Sequence, residues 1–324
     1  MSHFTVIVFG ENVDDQLAPY NEDITYLPEE YKRFNDYTDE LLSAWESGTE
    51  DRVVIDGEPY HKWNQRFAVR DSIQQWKTSY VYPEENLQTI PIKELYSSFE
   101  EFAATRYPSE TIDGETRYGY WSNPEAKWDW YQVGGRWSGY FKMKPITELP
   151  TGLGSPGVFG NEPQPGTADV IYKRDVDVDG MRDDAEKEAA ERWDLFTATV
   201  NGRKWRTWKQ VVSRYNLDKD GAIDKARAKY HSQEVIRDLS EAGFYNPEDF
   251  QMSREKYIER ARHHALAPFA YVIYGEWHGR GEMGWWGFST NDDERHIRDW
   301  AKEFNEFFDS LPDDMIITLV DCHI

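Results

Sequence analysis

The chain is 324 residues long, carries 60 acidic against 37 basic side chains for a formal net charge of −23, and contains one cysteine, Cys322. A single cysteine excludes an internal disulfide framework and any multi-cysteine zinc or iron–sulfur site, and 15% aromatic residues exclude wholesale disorder, because disordered chains lack the apolar side chains that offset ordering entropy. The negative charge repels nucleic-acid phosphate and anionic membrane, and no apolar stretch approaches the ~18 residues of a membrane-spanning helix, so neither direct nucleic-acid binding nor a membrane partner is expected.

In chain order, FTVIVF at 4–9 is an apolar, β-branched run closed by Gly10, the pattern of a buried strand. No basic region precedes it, so no secretory signal is expected and a cytoplasmic location is. Residues 28–47 carry Leu41, Leu42 and Trp45 at helical spacing before Gly48, and 66–76 and 92–106 suggest two more helices. From 118 to 144 the texture turns aromatic and glycine-rich, which predicts a central Trp-rich β-hairpin with Gly134 and Gly135 at a turn or bulge. Residues 150–167 hold five Gly and four Pro and predict a loop. A strand at 169–173 leads through an Asp-rich turn to helices near 183–197, 204–215, 219–242 and 253–266. Strands at 269–275 and 283–288, an amphipathic helix at 293–309 and a strand at 315–321 complete the chain. FTVIVFGE at 4–11 is echoed by FAYVIYGE at 269–276, which places the first strand in one sheet with the C-terminal strands.

The expected fold class is therefore α+β. An antiparallel or mixed sheet combines the N-terminal strand, the Trp-rich hairpin and a C-terminal β-β-α-β unit, with a helical block at about 183–266. The expected organisation is an acidic part at 1–149, the 150–167 loop, and 168–324 sharing one sheet with residues 4–9.

Four groups of residues have a pattern that points to chemistry. Asp175, Asp177, Asp179, Gly180 and Glu186 match D-x-D-x-D-G with a carboxylate at the twelfth position, the spacing of a calcium loop, making calcium the one candidate cofactor. Against it, Arg182 stands at the position such loops give to an apolar residue, and the alternative is an acidic turn that caps the following helix.

The second group is Trp128, Asp129, Trp130, Gly134, Gly135, Arg136 and Trp137. Paired glycines let a backbone approach a ligand, and Arg among aromatics suits a nucleotide-like small molecule. Glu276, His278 and Arg280, on a Gly-rich turn followed by Gly284, Trp285 and Trp286, would face that segment across one cleft and supply an acid or base. The simpler alternative for both is a packed hairpin and its polar loop. Third, His3 opens the first strand and Cys322 and His323 end the last one. With those strands adjacent we expect the three residues to stay apart and form no metal site. Fourth, residues 1–60 carry 15 acids against Lys32, Arg33 and Arg52, about half of the net charge. Asp14, Asp15, Glu22, Asp23, Glu29 and Glu30 are the candidate docking residues for a basic partner.

SHFTVIVFGENVDDQLAPYNE at the start, KWDWYQVGGRWSGYF in the middle and DVDGMRDDAEKEAAERWD in the acidic turn and helix resemble a protein type found in tailed-phage and prophage genomes. The resemblance runs across most of the chain and carries no catalytic residue over. It implies an accessory protein working in the bacterial host's cytoplasm. The leading expectation is a non-catalytic protein that binds a host protein in host takeover or counter-defence. The alternatives are a nucleotide-like ligand-binding protein or enzyme with an aromatic and arginine cleft, and a virion-associated structural protein.

Overall fold

The computed structural model describes residues 2–70, 78–145, 149–160, 162–217, 219, 221–284, 289–291 and 293–324. The chain is α+β, as its pattern predicts. Its contacts divide into two units, one formed by Met1–Asn21 with Ala126–Ile324 and the other by Glu22–Glu125. The division falls on either side of an inserted segment rather than at the 150–167 loop.

The larger unit is built on a seven-stranded sheet. Its strands include β1 (His3–Phe9), β2 (Trp130–Gly135), β3 (Val170–Tyr172), β4 (Ala270–Ile273), β5 (Glu276–Gly279) and β6 (Ile316–His323). Across the sheet the order is Ser155–Pro156, β2, β6, β1, β4, β5, with β3 also paired to β6. The echoed runs lie side by side, β1 and β4 pairing in parallel from Val6↔Ala270 to Phe9↔Ile273.

Both faces of this sheet are covered, which is why β1 reads as a continuous apolar run rather than an alternating one. On one face Ile7, Phe9, Ile317 and Leu319 meet Phe304 and Phe308. On the other Phe4, Val6, Val8, Val320 and Cys322 meet Leu17 and Trp128.

The helical block begins with α1 (Val178–Val200) and ends with α2 (Arg254–His264); α3 (Glu294–Ser310) follows β5. Phe196 stacks on Phe250 at 4.2 Å in a core of its own, alongside Leu239 and Phe244. The expected helix at 219–242 is two helices, Ala222–His231 and Glu234–Glu241.

The Trp-rich hairpin does not form. Residues Glu115–Ser122 belong to the smaller unit and pair with Ser109–Ile112 and Arg33–Asp36, whereas β2 pairs with β6. The expected Gly-rich turn at 276–282 is instead partly strand: Tyr274 and Gly275, at φ +53° and +79°, make a primed turn that folds β5 back onto β4.

In the smaller unit, Leu41, Ile92, Phe102, Ala103 and Tyr118 make the core. The first half of the expected 28–47 helix is the strand Arg33–Asp36, and the helix proper is Thr38–Ser47. The 92–106 stretch is two short helices because the Ser98 hydroxyl caps a new start, accepting from Glu101 N–H. Of the expected 66–76 helix, 68–70 is strand and 71–77 lies outside the described residues. Most of the expected 283–288 strand, including Trp285 and Trp286, also lies outside them.

Candidate functional site

Two antiparallel strands in full register bring the start of one to the end of the other. The β1–β6 register runs from His3↔His323 to Phe9↔Ile317, and Trp130 of β2 sits opposite His323 on the next strand over. The expectation that His3 and His323 stay apart is therefore overturned. Their ring centroids lie 4.8 Å apart at 71°, and Trp130 stacks on His323 at 5.0 Å while meeting His3 edge-on at 5.2 Å. Cys322 points to the opposite face, fully buried, and burial pushes its thiol well above the usual range.

Each imidazole is oriented by its own carboxylate. His3 Nδ1 lies 2.8 Å from Asp321 Oδ1, and His323 Nδ1 lies 2.6 Å from Asp129 Oδ1. An ionised carboxylate only accepts, so Nδ1 carries the proton in both rings and Nε2 keeps its lone pair. Neither Nε2 is hydrogen-bonded among the described residues. Such rings can take up a proton or ligate a metal. Two imidazoles fall short of a metal set, and the described residues contain no cluster of three or more His, Cys, Asp or Glu able to hold one.

The Gly-Gly pair singled out in the sequence positions this cluster. Gly134 and Gly135 both take positive φ, +76° and +57°, turning the chain so that Arg136 N–H donates to Asp321 Oδ2 at 2.9 Å. A Cβ on Gly135 would lie 2.3 Å from the Asp321 Cβ. Behind the turn, Asp169 is fully buried and accepts from Ser138 Oγ (2.8 Å), Gly139 N–H (2.6 Å), Tyr140 N–H (3.2 Å) and Gly154 N–H (2.8 Å). One carboxylate thus ties the Gly134–Tyr140 turn to the 150–167 loop, whose Ser155–Pro156 pairs with Gly134–Gly135.

The rest of the expected cleft does not assemble. β2 and β5 are separated by three strands, about 19 Å at the usual strand spacing. His278 stacks on Tyr271 at 4.7 Å and lies 3.9 Å from Glu276, while the Arg280 guanidinium sits over Phe269 at 5.1 Å. Arg136 lies over Phe159 at 5.6 Å, Trp128 is buried with its indole N–H on Leu17 O, and Trp137 packs against the core. Among the described residues the two segments meet at their near ends, through Lys127–Glu282 at 3.0 Å and a core shared by Trp128 and Trp277.

The Asp-rich stretch takes the capping alternative. Asp177 accepts from Gly180 N–H at 3.0 Å and α1 is helical from Val178, so Asp179 and Glu186 stand about 10 Å apart along its axis. Asp175 is buried on a preceding 3-10 turn, and Glu186 pairs with Arg262 at 3.1 Å.

The acidic candidates are all exposed. Asp14 and Asp15 lie on a short helix of the larger unit; Glu22, Asp23, Glu29 and Glu30 belong to the smaller one. Asp14 accepts from the Tyr131 hydroxyl, Asp23 caps Thr25 N–H, and Glu29 pairs with Lys32 at 2.9 Å. The Thr25 hydrogen bond holds the Asp23 carboxyl below its usual range.

No protein-family model, curated protein or solved structure matches the chain. Asp321 and Asp169 were missed in the sequence. Their signal is a lone carboxylate inside or beside an apolar strand, MIITLVDCH and ADVIYK, which requires a buried partner. No helix among the described residues is long and apolar enough to cross a membrane.

Proposed function

We propose that the protein is a non-catalytic, phage-encoded accessory factor that docks on a basic surface of a host protein in the bacterial cytoplasm, using its inserted acidic unit. The observation that carries this reading is charge concentration. Residues 22–125 hold 22 acidic and 10 basic side chains, a net −12, so over half of the charge sits in a third of the chain. Field of one sign over a compact unit steers a basic partner and rejects acidic ones. The same unit exposes Trp63 (61%) and Tyr120 (44%), the residue types that anchor interfaces once charge has brought the partners together. Replacing Glu22, Asp23, Glu29 and Glu30 together by Lys is expected to abolish partner capture from infected cells, and raising salt on the unaltered protein to weaken it. Capture that survives both would end the reading.

A second reading rests on the histidine pair. Two imidazoles with carboxylate-fixed tautomers and unpaired Nε2 atoms set two proton acceptors side by side, which favours proton abstraction from a ligand reaching Trp130. His3→Gln and His323→Gln should each remove such an activity while leaving partner capture intact; an activity indifferent to both substitutions would exclude it.

A further inference from the structure

A cavity of about 360 Å³ lies between α2 and α3, lined by none of the residues of the histidine cluster or the acidic candidates. Its lining is cationic in a strongly acidic chain. Lys256, Arg260, Arg298 and Lys302 face it against Glu259 and Asp299. Two of the four cations have carboxylate partners: Arg298 pairs with Asp299 of the lining at 2.8 Å, and Lys302 reaches Glu306 outside it at 3.8 Å. Lys256 and Arg260 have no carboxylate partner among the described residues; the Arg260 guanidinium lies over the Tyr257 ring at 5.2 Å.

His264 is among the lining residues, and its buried Nε2 finds no hydrogen-bond partner among the described residues. A buried ring nitrogen without a protein partner is a group that a ligand moving into the cavity could complete. The volume lies within the ~300–1,000 Å³ of small-ligand pockets.

We propose that this cavity binds a small organic phosphate, with the phosphate held by Lys256 and Arg260 and the organic body reaching His264 Nε2. A polyanion is the wrong occupant: the net −23 repels a long charged chain, whereas a small anion responds to the cations within a Debye length, about 8 Å at physiological salt. Burial, then Arg260, Arg280 and His263, hold His264 down to about 4. The ring is therefore neutral at pH 7, free to donate or accept at Nε2. This inference is independent of the docking and histidine-pair readings, since none of its residues serves either.

The test titrates the full chain with adenosine 5′-monophosphate, ribose 5-phosphate and inorganic phosphate, following heat and the His264 imidazole resonances in side-chain ¹⁵N spectra. The organic phosphates are expected to bind and shift His264 Nε2, and inorganic phosphate to bind about tenfold more weakly. The K256Q/R260Q double variant, at partly exposed positions, should weaken the organic phosphates by at least about tenfold. K302Q provides an independent check in the same direction. No binding of any probe at 10 mM (an upper limit of roughly 3 kcal/mol), equal binding by the double variant, or equal affinity for inorganic phosphate would each overturn the proposal.

Discussion

Replacing Gly135 by Ala tests whether the Gly-Gly turn holds the histidine pair in place. Gly135 sits at φ +57°, where an alanine costs about 1 kcal/mol in backbone strain. Its new Cβ would lie 2.3 Å from the Asp321 Cβ and 2.4 Å from Oδ2, against the 3.4 Å at which ordinary contact begins. Asp321 must retreat by about 1 Å, and at 1% exposure it has no free space to enter. Retreat stretches both of its hydrogen bonds, to His3 Nδ1 and Arg136 N–H, each worth about 1.5–3 kcal/mol as a bond to a charged group. With partial relaxation the total loss is about 4 kcal/mol. Gly243→Ala is the control: φ is +80° and nothing lies within 4 Å of its Cβ, so only the strain of about 1 kcal/mol remains. Urea unfolding followed by tryptophan fluorescence gives both values, and the His3 Nδ1 proton resonance reports the site directly. If G135A falls within about 0.5 kcal/mol of G243A, or leaves the His3 resonance unmoved, the turn does not position Asp321.

Asp169→Asn keeps the size of the buried side chain but replaces one acceptor oxygen by an amide that faces donors. A loss of about 3 kcal/mol is expected, with faster proteolytic cutting between 150 and 160; an unchanged cutting rate would count against the tether. Phe304→Ala, at a fully buried position against Phe9, Tyr271 and Phe308, should cost about 3–5 kcal/mol in thermal or urea unfolding, and a loss below ~1 would place α3 outside the core. His264 gives a pH signature. Its folded value of about 4 lies below the usual 6.5, so the unfolded chain takes up the proton first as pH falls. Its contribution is intact above pH 6.5 and is lost between 6.5 and 4. That loss amounts to about 2 kcal/mol after allowance for its partial exposure. His264→Gln should lose correspondingly less stability than the unaltered chain over that interval, and parallel curves would refute the assignment.

Local signals survived translation into structure where one element decides them. The strand at 4–9, the amphipathic α3 and the capped α2 rest on patterns confined to a few residues, and all three formed. The D-x-D-x-D-G spacing allowed two readings, a calcium loop or a capping turn, and its six residues compete with the helix-forming run DDAEKEAAERWD behind them. Once that run is helical, Asp177 is worth more as a cap than as a ligand. The Trp-rich hairpin failed for a non-local reason. Tyr118–Ser122 and Trp130–Gly135 are near in sequence and alike in texture, yet each finds its partner elsewhere, Arg33–Asp36 and Ile316–His323. Side-chain texture indicates that a segment is a strand but not which edge it joins.

The histidine pair shows why its geometry was only half legible. Nothing within ten residues of His3 announces a site, because its carboxylate is 318 positions away. The pieces were visible separately: a histidine opening one strand, a histidine ending another, an acid inside an apolar run and two adjacent glycines. What joins them is register, since a one-residue slip of β6 would turn Asp321 and His323 to the other face and bring Cys322 to the histidine. Register is pinned at both ends of that strand. Ser2 N–H donates to Ile324 O at 2.9 Å beyond the pair, and Gly10 N–H donates to Ile316 O at 2.8 Å at the far end. The same hydrogen bonds that close the sheet therefore set the chemistry of the cluster, so a change that loosens sheet closure should disperse the histidines while leaving the separate helical core around Phe196 and Leu239 intact.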